Sequence, residues 1–359
     1  MRGVHAPFRF LVEYRAAMNQ SENMSLDSTV SALLKAQARA LLEDAFVWDA
    51  HGGFTSKTDQ DLSQLSRWET AHVDFLSVNV GFDIHPWEHT ISVLAAYRYW
   101  FATRPERFVL VDTFEDVLRA RREGKMAIAF DLEGAVSLNG QVEMLAVYRR
   151  LGVRQAHFVY NLNNAAGGGC QDDDTGLTAF GGSLVDECNR LGILIDMSHV
   201  GAQTSFDIIE RSALPVVFSH SNPKAHTDHP RNITDAQMAA LAAKGGLVGV
   251  TGVGRFLGDP DASSESFVRA IDMTVERVGV AHTAIGLDYT WAPGGPARAP
   301  AFWPPEFYTG KFAYLGPHQL EEITEMLLRR NFRESEIRAI YGENYLRIAQ
   351  QVWASEALT

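Results

Sequence analysis

From residue 46 onward, short apolar runs of strand length alternate with segments of helical period, and run after run closes on a residue able to hold a metal or move a proton. The runs are 46–51, 73–80, 126–132, 155–160, 192–198, 214–219, 246–253 and 283–287. Apolar spacing predicts helices over 87–101, 142–151, 177–191, 201–212, 235–243 and 265–278. The third run is apolar on both faces, as a parallel strand covered on both sides must be. Eight strands alternating with helices is the count of an α/β, TIM-type (β/α)8 barrel, and no Pro/Gly/Ser linker divides the chain. The doubly wound alternative needs a glycine-rich phosphate turn after the first strand, which Gly52-Gly53 does not supply.

The expected organisation is one barrel domain over 27–359, with extra helices at 28–44, 320–329 and 334–352 and a break at Gly342. Residues 1–26 show no clear period and read as a disordered extension, with Met18 or Met24 as alternative starts. The stretch 291–317 holds six prolines and many aromatics. It reads either as a loop packed on the barrel or forming a homodimer contact, or as a wall of the active site.

Charge and composition narrow the partners. A formal net charge of −12 argues against an electrostatic grip on nucleic acid or an anionic membrane, which leaves a small molecule as the default substrate. Two cysteines are too few for a disulfide scaffold and fit a reducing compartment. No apolar run reaches 18 residues, and Pro7 and Arg9 break the only apolar stretch near the N-terminus, so neither a spanning helix nor a signal peptide is expected. The expected location is cytoplasmic.

The strand ends carry the chemistry. Two of them repeat in kind, Met197-Ser198-His199 and Phe218-Ser219-His220, separated by one helix, which places both imidazoles on the same rim. His51, Glu133 and Asp288 close three other runs. Imidazoles with a carboxylate suit zinc or a similar divalent ion, and an ion so held makes water a nucleophile near neutral pH. Asp288 reads either as a proton carrier or as a structural hydrogen-bonding group; Arg231 reads either as a clamp on a substrate carboxylate or as a solvent-facing loop residue.

This pattern resembles the membrane (renal) dipeptidases, zinc hydrolases on an amidohydrolase-type barrel, over about residues 44–352. The likeness rests on Gly176-Leu177-Thr178-Ala179-Phe180-Gly181, Asn189-Arg190-Leu191-Gly192-Ile193, Ile195-Asp196-Met197-Ser198-His199, Phe218-Ser219-His220-Ser221-Asn222, His229-Pro230-Arg231-Asn232, Ile285-Gly286-Leu287-Asp288 and Gly342-Glu343-Asn344. It implies that Glu133 bridges two zinc ions, that His199 and His220 hold the more exposed ion, and that His51 ligates the more buried one. It further implies that Asp288 is the catalytic aspartate, that Arg231, with Asn232 beside it, holds the substrate, and that the substrate is a dipeptide with a free C-terminal carboxylate.

Two positions depart from the family pattern. His-x-Asp on the first strand is His51-Gly52-Gly53 here, and Thr-His-Asn on the fourth is Val159-Tyr160-Asn161. The buried site thus loses a charged oxygen donor, and one firmly held Zn²⁺ with a second weak or absent is expected. Tyr160 can still donate to an oxyanion or contact substrate, without a histidine's charge. The glycine-rich segment 165–174 around Cys170 reads as a flexible loop or as a source of a substitute ligand or a new substrate contact, Cys188 as core, and His226 and His229 as solvent-facing. The leading expectation is hydrolysis of a dipeptide amide bond. Hydrolysis of another small N-acyl amino acid, or binding of a small carboxylate without turnover, are the alternatives.

Overall fold

The structure, a computed structural model, is described for residues 20–291 and 313–353. The strands are β1 (Trp48–Phe54), β2 (Phe75–Phe82), β3 (Phe108–Leu110), β4 (Met126–Glu133), β5 (Val153–His157), β6 (Leu194–Asp196), β7 (Val217–Phe218), β8 (Leu247–Val250), β9 (Thr283–Ile285) and β10 (Tyr289–Trp291). All pairings are parallel, in the order β10-β1-β2-β4-β5-β6-β7-β8-β9, with β3 alongside the first half of β4. β9 and β10 are two pieces of one eighth strand: Gly286 N donates to Val250 O on one side and Asp288 N to His51 O on the other, which closes the ring. The fold is a TIM-type barrel.

Helices α1 (Gln20–Asp44), α2 (Ser66–Thr70), α3 (Trp87–Ala102), α4 (Phe114–Arg122), α5 (Met144–Arg150), α6 (Ala179–Leu191), α7 (Ala202–Arg211), α8 (Asp235–Ala243) and α9 (Ser264–Val278) surround it, followed by α10 (Leu320–Arg329), α11 (Glu334–Arg338) and α12 (Asn344–Trp353). Their starts follow local chemistry. Thr178 accepts from Gly181 N ahead of α6, Thr234 and Gln237 cap α8 reciprocally, and Ser263 caps α9. Each cap is worth about 1 kcal/mol.

The two ends of the barrel are built from opposite materials. Toward the N-terminal ends of the strands, Trp48 stacks on Phe75 at 3.6 Å and on Tyr345 of α12 at 5.4 Å, with Ala127, Ala129 and Ala284 leaving room for the rings. Burying a side chain such as Phe75 contributes roughly 1.5–3 kcal/mol, so α12 acts as an apolar plug. Farther up the barrel Asp49, Asp131, Gln155, His157 and Asp196 are all buried. Such a layer persists only because its members are partnered: Gln155 and His157 face Asp196, Asp49 accepts from Trp68 Nε1 and Leu287 N, and Asp131 accepts from Ser77 Oγ and Asn79 Nδ2.

Several boundaries differ from those read in the sequence. α1 begins at Gln20, so part of the expected extension is helical; the call of disorder for 1–19 and both readings of most of 291–317 lie outside the described residues. β1 runs through His51 to Phe54, so His51 sits within the strand rather than at its end. β3 and α4 were not expected. Gly342 does not end the helix: a π-helical turn, Ala339–Glu343, joins α11 to α12, and a Cβ at Gly342 would lie 2.2 Å from Phe46 O, so close packing demands the glycine there. Cys188 is buried on α6, as expected.

Candidate metal centre

Register assembles the site. Glu133 pairs with His157 and His157 with Asp196, so the last residues of β4, β5 and β6 form one layer across the barrel. Asp196 then organises both Ser-His turns: its Oδ1 accepts from Ser198 N at 2.9 Å and from Ser219 N at 3.0 Å. Ser198 Oγ in turn accepts from His220 N at 3.1 Å. One buried carboxylate therefore fixes the relative placement of His199 and His220. Asn161, His199 and Asp288 carry φ of +63°, +73° and +53°. Such backbone in non-glycine residues costs about 1–3 kcal/mol each and clusters where side-chain aim matters.

The imidazoles of His199 and His220 point at one place. Their Nε2 atoms are 2.9 Å apart, and Glu133 Oε1 lies 2.9 Å from the first and 3.7 Å from the second. His199 Nδ1 donates to Asn161 Oδ1 at 2.7 Å, which leaves a lone pair on Nε2. Burial, reinforced for His199 by Arg231 and for His220 by His51 and His199, holds both rings far below the ordinary histidine value, hence neutral. Two neutral nitrogens facing each other beside a carboxylate oxygen repel unless a cation lies between them, so Glu133, His199 and His220 fit a metal ion.

A second donor set, His51, His220 and Asp288, overlaps the first, and a third comprises His157, Asp196 and His220. His51 stacks on His220 at 4.2 Å, with its Nε2 3.4 Å from Glu133 Oε1 and 3.8 Å from Asp288 Oδ1. Burial disfavours charge on His51, but Asp131, Glu133 and Asp288 outweigh it and lift the ring well above the ordinary value. Burial likewise pushes Glu133 up to about 7, against the pull of His51 and His157. Burial raises Asp288 too. His157 Nε2 lies 2.8 Å from Asp196 Oδ2; burial opposes charge on both, yet their attraction prevails, raising the histidine and lowering the aspartate.

The remaining sequence candidates fall beside this cluster. Arg231 is not solvent-facing: it is buried, with Nη2 donating toward His199 Nε2 at 3.3 Å and to His220 O at 3.4 Å. The Tyr160 ring lies 4.4 Å from that of His199. A cavity of about 290 Å³ adjoins them, lined by Cys170, His199, Arg231 and Asn232 among others. Asn232 Nδ2 is engaged with Thr227 O and Phe256 O, so its amide nitrogen holds the loop. Cys170 belongs to none of the donor sets found among the described residues; its backbone N–H donates to His199 O. His226 and His229 are half-buried rather than solvent-facing, and His229 Nδ1 accepts from Arg231 N.

Sequence reasoning missed the supporting residues Asp131, His157, Asn161 and Asn79. Asp131 was detectable in principle, since it stands two residues before Glu133 and therefore on the same strand face. The importance of His157 follows from its register with Glu133, which only the sheet reveals.

Fold and site together define the class: a parallel α/β barrel of the amidohydrolase type with a histidine–carboxylate donor cluster at the C-terminal ends of its strands. The pattern of the membrane dipeptidase family (peptidase family M19) matches residues 17–300, and the chain belongs to that family. An uncharacterised dipeptidase of Schizosaccharomyces pombe is 30% identical over 247 residues, an alignment that spans 66% of this chain and 56% of the yeast protein. An amidohydrolase of Pseudomonas aeruginosa has a similar structure, with a TM-score of 0.80 and 27% identity, covering 88% of this chain and 99% of that one. A Rhodobacter sphaeroides metallopeptidase, solved with a phosphinate mimic of L-Ala-D-Ala, shares the fold at a TM-score of 0.72 and 21% identity, covering 86% of this chain and 100% of that one. The family is one of dipeptidases and metallohydrolases. No helix among the described residues is long and apolar enough to cross a membrane.

Proposed function

We propose that this chain is a metal-dependent hydrolase that cleaves the amide bond of a dipeptide, or of a closely related small amide bearing a free carboxylate. The observation that carries the reading is the convergence of two neutral imidazole nitrogens 2.9 Å apart on the Glu133 carboxylate, beside a buried arginine. Zn²⁺ is the ion the donor set suits best, with one ion held firmly by Glu133, His199 and His220 and a second held more weakly. When bound, such an ion supplies Lewis acidity and makes water a nucleophile near neutral pH.

The chain's own residues account for the rest. Arg231 binds the substrate carboxylate, its guanidinium fixed over the Phe256 ring at 5.2 Å. Asp288, aimed into the cluster by its left-handed backbone, takes the proton from the attacking water and returns it to the leaving amine. Tyr160, whose backbone N–H donates to Asp83 Oδ2 at 3.1 Å, offers its phenol to the developing oxyanion. Asn232 and Cys170 wall the cavity.

The test is turnover of a mixed library of L,L and L,D dipeptides by metal-free protein with and without added Zn²⁺. Zinc-dependent release of amino acids is expected. Tight binding of library members with no turnover of any would contradict the proposal and favour a barrel that only binds carboxylate ligands.

A further inference from the structure

The inner donor set takes no carboxylate from β1, where Asp49 is engaged by Trp68 Nε1 and Leu287 N and position 53 is glycine, and the backbone explains why an aspartate cannot simply be placed at 53. Gly53 has φ +135°, a conformation that an aspartate rarely adopts, and a Cβ there would approach Val78 Cγ1 to 3.3 Å. A different carboxylate reaches His51 from across the sheet. Asp131 is fully buried on β4, on the inward face it shares with Glu133, and its Oδ1 lies 3.2 Å from His51 Nδ1. It is held from the far side: Ser77 Oγ donates to Oδ2 at 2.7 Å, and Asn79 Nδ2 donates to Oδ1 at 3.1 Å and to Glu133 Oε2 at 3.2 Å. One asparagine thus ties Asp131 to the carboxylate shared by the outer set. The other nitrogen of His51, Nε2, faces Glu133 and Asp288.

We propose that Asp131 supplies at one remove the negative charge that position 53 lacks, backing His51 through Nδ1 so that His51 Nε2, with Asp288 and the shared Glu133 carboxylate, holds a second divalent ion. A carboxylate behind an imidazole fixes the proton on the far nitrogen and makes the near one a stronger donor, and loss of such a partner typically costs 10–100-fold in metal affinity. Asp131 is a positioning residue: it faces Nδ1, on the opposite side of the ring from the cluster. The inference rests on the metal-centre reading above.

The experiment titrates metal-free protein with Zn²⁺ alone by calorimetry with chelator competition, after thermal melts have shown which variants are folded. Wild type should take up two successive equivalents. Asp131→Asn should leave the first unchanged and weaken the second about 10–100-fold; His51→Ala should abolish the second, and adding Asp131→Asn to His51→Ala should change nothing further. A second equivalent as tight in Asp131→Asn as in wild type, an Asp131→Asn effect on the first equivalent that persists without His51, or a wild type that saturates at one equivalent would overturn the proposal. Binding of no zinc by wild type would instead overturn the metal-centre reading. Should Asp131→Asn fail to fold, histidine ¹⁵N spectra of zinc-loaded wild type decide: His51 protonated at Nδ1 and ligating through Nε2 supports the proposal, and the opposite tautomer or a free His51 ring contradicts it.

Discussion

The two halves of the donor cluster use the same side chain in opposite states. His199 and His220 are neutral, kept so by burial and by the positive charges around them, and their lone pairs face one another. His51, stacked on His220 only 4.2 Å away, lies among Asp131, Glu133 and Asp288 and favours its proton. A cation entering the outer half displaces the Arg231 contact on His199 Nε2 and any proton on Glu133 but needs none from its imidazoles, whereas the inner half must also release the proton of His51 and divide three carboxylates between two positive centres. Ligand identity alone would make the halves look alike; the placement of carboxylates makes them unequal.

The severest way to break this comparison is His220→Ala, because His220 supplies a ligand nitrogen to the outer half and its ring stacks on His51 of the inner half. It should remove the firmly held ion and lower kcat/KM on the order of 10³-fold or more, checked by metal content and by kinetics on the same preparation. Substantial activity in a metal-poor variant would mean that the cluster is not the reacting centre. Arg231→Ala should come next, raising KM for a dipeptide roughly 10²-fold, since a buried charge-assisted contact is worth about 2–5 kcal/mol. The same substitution should hardly affect a C-terminally amidated analogue; equal losses on both would show that Arg231 supports His199 instead of binding substrate.

Asn161→Ala should sharpen the comparison by loosening only the outer half. Without the oxygen that fixes the His199 tautomer, retention of the first zinc should fall about 10-fold while uptake of the second is unaltered, as read by chelator competition. The smallest effect concerns Asp83, which supports the loop carrying Tyr160. Burial raises this carboxyl to about 6, against donation from Val136 N, Asn164 Nδ2 and Tyr160 N. With a folded value above the ordinary aspartate value of 3.8, its stabilising contribution is complete below about pH 4 and is lost as pH rises through about 6. Urea unfolding across that window should show wild type losing stability relative to Asp83→Asn as pH rises; parallel curves would mean that the carboxyl is not perturbed.

Much of this architecture was legible in the sequence because a parallel barrel repeats its signal. Apolar runs closing on Ser198-His199, Ser219-His220, Glu133-Gly134 and Asp288 marked both the strand order and the rim. Gly134 itself is explained only by the fold: φ +114° and an Asp83 oxygen 2.0 Å from where a Cβ would stand exclude a side chain. The layer beneath the rim was harder to see. Asp131 and His157 interrupt apolar strands singly, and a lone polar residue in such a run has no period to betray its partner across the sheet. β3 escaped notice because three residues carry no alternation, and α4 because its arginines and acids mask a buried face of only Val117 and Ala120. His51 was found but misplaced, since β1 continues through two glycines that a sequence reading treats as a turn.

The most direct measurement is anomalous diffraction at the zinc edge from crystals grown with Zn²⁺. The account predicts a strong peak among Glu133 Oε1, His199 Nε2 and His220 Nε2, and a weaker one between His51 Nε2 and Asp288, with Asp131 on the far side of the His51 ring. Equal peaks with Asp131 directly ligating, or no peak between His199 and His220, would contradict it.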